Sequence, residues 1–135
     1  MDLKVVLGAK DGKSYQKELK DAAAEALHNK RIGDTVSGDE LGFPGYEFLI
    51  TGGSDKCGFP MRKGIQAPRK QIMIGNSVGF SGLDRNKKKQ KGLLKKRTVC
   101  GERISKIIHQ VNMKIVKEGA QSLGGEAAAH SDQKQ

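Results

Sequence analysis

Apolar and polar residues follow a strand-like pattern at several places along the chain, and that pattern sets the first expectations. Leu3, Val5, Val6 and Leu7 form an apolar opening, and Tyr15 to Leu19 returns after Lys10-Asp11-Gly12-Lys13. Asp-Gly accepts the positive φ of a tight turn, so the segment predicts a β-hairpin. Tyr46, Phe48 and Ile50 alternate with Glu47, Leu49 and Thr51, which predicts a strand ended by Gly52 and Gly53. Ile72 and Ile74 share one face of a further strand, and Thr98 to Ile104 predicts another, broken near Gly101. The clearest alternation comes last, with His109, Val111, Met113 and Ile115 on one face and Gln110, Asn112 and Lys114 on the other. Ile104, Ile107 and Ile108 also fit one helical face, so the span from Arg103 to Ile108 admits either reading.

One stretch follows a different period. Asp21 suits a helix N-cap, Ala22 to Leu27 are mostly good helix formers, Lys30 and Arg31 complement a negative helix end, and Gly33 suits a stop. Six or so short strands with glycine-rich connections and one short helix predict a mostly β, α+β fold. The expected form is a small antiparallel, barrel-like or curled sheet with a basic loop. Residues 1–119 are expected to form a single domain. Residues 120–135 are small, polar and Ala-rich, and read as a flexible C-terminal tail.

Composition narrows the class. The 135 residues suffice for one modest core, and 18 Gly against 3 Pro agree with many tight turns. No apolar run approaches the roughly 18 residues of a membrane span, and the first residues are too charged for a signal peptide. A soluble cytoplasmic protein is expected. Cys57 and Cys100 stand far apart without Cys or His at zinc-site spacing, so both are expected as reduced, buried or half-buried thiols, with no metal.

Charge is the most informative property. The net +10 is uneven, because residues 62–119 carry 16 Lys and Arg against Asp84, Glu102 and Glu118, a local +13. Such asymmetry calls for an anionic partner, and without a basic amphipathic helix nucleic acid stands ahead of membrane. The densest segment runs Arg85-Asn86-Lys87-Lys88-Lys89-Gln90-Lys91-Gly92-Leu93-Leu94-Lys95-Lys96-Arg97. In isolation it would repel itself and stay extended, and on phosphates it would release condensed counterions. Arg69 and Lys70 add to the same basic half. No helix-turn-helix, zinc finger or basic zipper is present, and neither are the aromatic signatures of RRM sheets. Folded RNA, contacted through backbone and shape, is therefore the expected partner.

Enzymatic readings fare poorly. Gly53 and Gly58 have the spacing of a phosphate-binding loop, but Phe59 and Pro60 stand where Lys and Ser or Thr are required, so no nucleotide site is expected. In the same segment Phe59 and Met61 are expected to plug the core, with Arg62 and Lys63 emerging beside it. His28, His109 and His130 have no spacing that joins them to a nucleophile, and Asp39 and Glu40 read as turn chemistry. Neither a catalytic residue nor a cofactor is expected.

The run GGSDKCGFPMRKGI, Gly52 to Ile65, resembles the most distinctive stretch of small-subunit ribosomal protein six of the archaeal and eukaryotic type, usually written GG-x-D-K-x-G-F-P-M-x-x-G-V. Similar runs follow at Lys96 to Gly101, at Ile104-Ser105, and at Asn112 to Gly119, in the family's order. The resemblance implies a non-catalytic constituent of the ribosomal small subunit, with ribosomal RNA and neighbouring ribosomal proteins as partners. Carried over by position, Lys56, Arg62, Lys63, Lys96, Arg97 and Arg103 are the motif-linked cations expected nearest RNA. Arg69, Lys70, Arg85, Lys87, Lys88, Lys89, Lys91 and Lys95 complete the expected RNA-binding set. Eukaryotic members continue into a long basic helix, so an archaeal-type member is expected. Leu93 and Leu94 stand where the family is usually more basic, and a protein neighbour is an alternative contact for them. The other function class is a free-standing RNA-binding factor or chaperone.

Overall fold

A computed structural model describes residues 2–121 and Leu123. The opening alternation becomes β1 (Leu3–Gly8) and β2 (Ser14–Leu19), antiparallel with Leu3 opposite Leu19. The Asp-Gly turn forms between them: Gly12 takes φ +88°, and Asp11 Oδ1 accepts from the Lys13 amide at 3.2 Å. Leu3, Val5 and Leu7 point to the core, as a period of two requires.

The expected helix is only Ala22–Ala26 (α1), and its details differ from the sequence expectation. Asp21 takes φ +48° and makes no side-chain cap, and Lys30 and Arg31 lie beyond the last turn. Tertiary hydrogen bonds take over before Gly33 is reached. Asn29 enters the left-handed region at φ +67° and its amide donates to the Ile104 carbonyl, while the Ile32 and Gly33 amides donate to Glu102 and Ile50. Two unanticipated elements follow, β3 (Thr35–Ser37) and a 3₁₀ turn over Gly38–Leu41. Ser37 caps that turn, and Asp39 Oδ1 accepts from the Gly45 amide, so the expected turn chemistry of this segment is present.

The strand over Tyr46 to Thr51 does not end at Gly52 and Gly53. It runs on as β4 (Glu47–Asp55). A Cβ at residue 53 would sit 2.3 Å from the Gln110 carbonyl oxygen and 2.9 Å from Met61 Sδ, so glycine there permits close packing inside the strand. The remaining strands are β5 (Arg69–Ile74), β6 (Lys95–Cys100) and β7 (Ile108–Lys117). β7 settles the ambiguity over Ile108 in favour of strand. In it Val111, Met113 and Ile115 are buried as expected, but Ile108 replaces His109 on the buried side. The cause is a register shift: Ser54 faces Gln110 and Asp55 faces Ile108, leaving His109 as the extra residue of a bulge.

One sheet has the order β2-β1-β7-β4-β3, antiparallel except for the parallel β1–β7 pair; β5 and β6 form a separate two-stranded ribbon. Among the described residues the sheets do not close into the expected barrel-like form, and β2 and β3 are free edges of the larger one. The main core gathers Leu3, Val5, Leu27, Phe48, Ile50, Ile104 and Val111, among others. Ile74, Phe80 and Val99 form a satellite core under the ribbon, flanked by Ile65, Ile72 and Leu93. The two meet in β6, where consecutive residues point to opposite faces: Val99 belongs to the satellite and Cys100 to the main core, both fully buried. Of the expected flexible tail, Ser122 and residues 124–135 lie outside the described residues. Within the described part, the Tyr46 hydroxyl donates to the Gln121 carbonyl and Leu123 is buried in the main core.

Candidate nucleic-acid interface

The segment from Gly53 to Arg62 bolts the ribbon to the sheet. Asp55 and Gly58 amides donate to Phe59 and Asp55 carbonyls, and the Met61 amide donates to Gly53 at 2.8 Å. Cys100 N donates to the Pro60 carbonyl, and Arg62 N donates back to Cys100. The Asp55, Gly58, Phe59, Met61 and Arg62 amides are thus engaged within the protein, unlike the free amides of a phosphate cradle. Met61 is buried and Phe59 half-buried against the main core, as expected.

At the seam sits a buried acid. The Asp55 side chain accepts from the Arg69 guanidinium, from the Phe59 amide at 2.9 Å and from the Cys100 thiol at 3.3 Å. Burial pushes the Asp55 carboxyl up, but those donors together more than reverse it, so it sits below its ordinary value. Burial, with the Asp55 carboxylate beside it, pushes the Cys100 thiol up to about 11. Cys100 is therefore a protonated packing group, and Cys57 is exposed instead of buried or half-buried. Glu102 is the second structural acid. The Gly64 amide and Gln66 Nε2, at 3.0 and 2.9 Å, hold its carboxyl below the ordinary range with help from Arg31.

The cations fall into three groups. Arg62 and Arg69 serve the fold: Arg62 Nη1 donates to Ser77 Oγ and the Val78 carbonyl, and Arg69 pairs with Asp55 and lies over the Phe59 ring. Lys95 and Arg97 share the satellite-core face of the ribbon, 5.9 and 5.4 Å from the Phe80 ring centroid, and their aliphatic stems cover that small core. The rest are solvent-facing. Lys70 and Lys96 lie on the ribbon, Lys56 projects from within the bolting segment, Lys63 follows it, and Arg103 stands next to Glu102. Arg85, Lys87, Lys88, Lys89 and Lys91 are all exposed in the loop before β6, and none forms an ion pair with another described residue.

In isolation that segment would repel itself; within the fold it has a defined turn. It folds around Asp84, whose Oδ1 accepts from the Asn86 and Lys88 amides and whose Oδ2 accepts from Gln90 Nε2. In the sequence Asp84 registers only as an acid to subtract. An Asp two residues before Asn-Lys is nevertheless a turn signal, and it could have located this fold of the loop. The basic run also ends earlier than expected, since Lys95, Lys96 and Arg97 are strand residues. Leu93 packs on the satellite core, whereas Leu94, Met73 and Val78 remain exposed.

Among the described residues no cluster of His, Cys, Asp and Glu is placed to hold a metal; His28 is half-buried in the turn after α1 and His109 half-buried in β7. His130 lies outside the described residues.

Residues 3–127 match the family described as ribosomal protein S6e. The chain is 42% identical over 123 residues to small ribosomal subunit protein eS6 of Methanococcus maripaludis strain C6, spanning 90% of this chain and 92% of the relative. The eS6 protein of Archaeoglobus fulgidus is 41% identical over 122 residues, with 88% and 90% covered, and that of Natronomonas pharaonis is 40% identical over 130 residues, with 93% and 96% covered.

Proposed function

Because this chain belongs to the ribosomal protein S6e family of the small ribosomal subunit, we propose that it braces folded ribosomal RNA by setting the exposed cations of its ribbon and basic loop against closely spaced phosphates. The observation that carries this reading is the group of exposed Arg85, Lys87, Lys88, Lys89 and Lys91, none of them ion-paired with another described residue, with Lys70 and Lys96 exposed on the two opposite faces of the ribbon. Unpaired surface cations at this density raise local repulsion, and a polyanion relieves it while releasing its own counterions. Lys56, Lys63 and Arg103 extend the surface. Lys95 and Arg97 contribute with their charged ends, Arg62 and Arg69 mainly by holding the ribbon in place. The role is structural, without catalysis. Exposed Leu94, Met73 and Val78 suit a neighbouring ribosomal protein at the ribbon's margin.

The test replaces Lys87, Lys88, Lys89 and Lys91 together by Ala and titrates purified small-subunit ribosomal RNA against salt. Each phosphate contact contributes about 0.7–0.9 to the slope of log affinity on log salt, so the slope should fall by roughly 3. Folding stability should stay within about 0.5 kcal/mol, because these side chains are exposed. Unchanged binding at about 200 mM salt excludes this loop as the contact surface.

A further inference from the structure

Resting on that reading of the basic loop, we propose that an acid, Asp84, is the positioning residue of the RNA-binding surface: it folds the loop before RNA arrives. Counting charge alone points the other way, since removing a carboxylate from a +13 region should strengthen attraction to a polyanion. The geometry outweighs that count. Asp84 Oδ1 accepts from the backbone amides of Asn86 and Lys88, both at 2.9 Å, and Oδ2 accepts from Gln90 Nε2 at 3.0 Å. The backbone closes the same ring, with the Asp84 amide donating to Lys88 at 2.9 Å and the Lys87 amide donating back to Asp84 at 3.1 Å. Leu83 bridges to Lys89, and Lys87 takes the left-handed conformation at φ +60°, which a non-glycine residue holds only when its surroundings impose it.

Both carboxylate oxygens therefore face the loop's own donors and neutralise none of its lysines. The five flanking cations stay exposed in one fixed turn. A loop already ordered when RNA docks loses little backbone freedom on binding, and that preorganisation appears as affinity. With Asp84 gone, like charges spread the turn and RNA must order it. The lysines still reach the same phosphates afterwards, so the number of counterions released does not change.

The measurement is the affinity of the full chain for purified small-subunit ribosomal RNA across a salt series, for the wild type, Asp84→Ala, Asp84→Asn and the four-lysine variant. Asp84→Ala should bind about tenfold more weakly at every salt concentration, giving a parallel line with unchanged slope. Asp84→Asn keeps an oxygen for the Asn86 and Lys88 amides and should bind at least as tightly as wild type. In the RNA-free protein, the Asn86 and Lys88 amides should exchange with deuterium slowly in wild type and fast in Asp84→Ala. Thermal midpoints should match, because the loop lies outside both cores.

Asp84→Ala binding as well as wild type overturns the proposal, and so does equal loss in Asp84→Asn, which keeps the oxygen that the Asn86 and Lys88 amides donate to. Fast exchange of the two amides in RNA-free wild type overturns it without any variant. These results leave the RNA reading standing when the four-lysine variant loses slope. A four-lysine variant indistinguishable from wild type removes the RNA reading itself.

Discussion

The five-stranded sheet buries a continuous layer from Leu3 to Leu123, including the stacked Tyr46 and Phe48 rings, 5.8 Å apart; among the described residues the core beneath the ribbon has only Ile74, Phe80 and Val99 buried. At about 1.5–3 kcal/mol per buried apolar side chain, three residues cannot offset the ordering of a two-stranded hairpin. The ribbon stands because it is fastened to the sheet, through Val99 and Cys100 at the end of β6, the Asp55–Arg69 pair, and the Cys100–Pro60 and Arg62–Cys100 hydrogen bonds. Most of the exposed charge concentration is carried by the weaker region. One part of the chain supplies stability, and another presents cations that destabilise one another.

That contrast can be broken most forcefully from the sheet side. Phe48→Ala should cost about 3–5 kcal/mol, a large share of the stability of a domain this size, read as a lower urea midpoint with affinity per folded molecule for RNA unchanged. An effect as small as that of an exposed substitution would show that the main core does not hold the molecule together.

The fastening comes next. Asp55→Ala strands a half-exposed Arg69 and removes acceptors from Phe59 and Cys100, at a cost of about 2 kcal/mol, below the usual range for a fully buried pair because Arg69 keeps solvent. The pH profile sharpens this. Asp55 and Glu102 both lie below their ordinary values of 3.8 and 4.5 when folded, so each contributes stability that is complete above those values and is lost as pH falls through the lower folded ones. The wild type should therefore lose stability in acid below about pH 4, and Asp55→Ala should lose less over the same interval. Equal acid slopes in chemical unfolding at pH 3 and pH 6 would separate Asp55 from the effect.

The mildest probe leaves the sequence untouched. Iodoacetamide at neutral pH should label Cys57, which is exposed, and spare Cys100, buried with its pKa near 11; mass spectrometry should find one adduct in native buffer and two in urea. Rapid double labelling would mean that the seam opens on its own.

Several features are legible in the order of residues. The alternation at Leu3 to Leu7, at Tyr46 to Ile50 and at Val111 to Ile115 names the buried faces correctly, because side chains on a strand have a period of two regardless of partner. The basic half and the run from Gly52 to Ile65 point to the family. Where the sequence misleads, a distant group has intervened. α1 is cut short by carbonyls of Ile104, Glu102 and Ile50, and β4 passes through Gly53 because Gln110 and Met61 crowd it.

Local periodicity and charge, then, are set by the sequence itself, since both depend on neighbours a few positions apart. Folding alone decided that β1 and β7 pair in parallel, that Val99 and Cys100 divide between two cores, and that Arg62 and Arg69 are engaged by the fold while Lys87 to Lys91 are left to solvent. Each of those outcomes turns on which hydrogen-bonding or apolar partner the fold brings up, and those partners lie outside the local window, from 14 residues away for Arg69 and Asp55 to the two ends of the domain for β1 and β7.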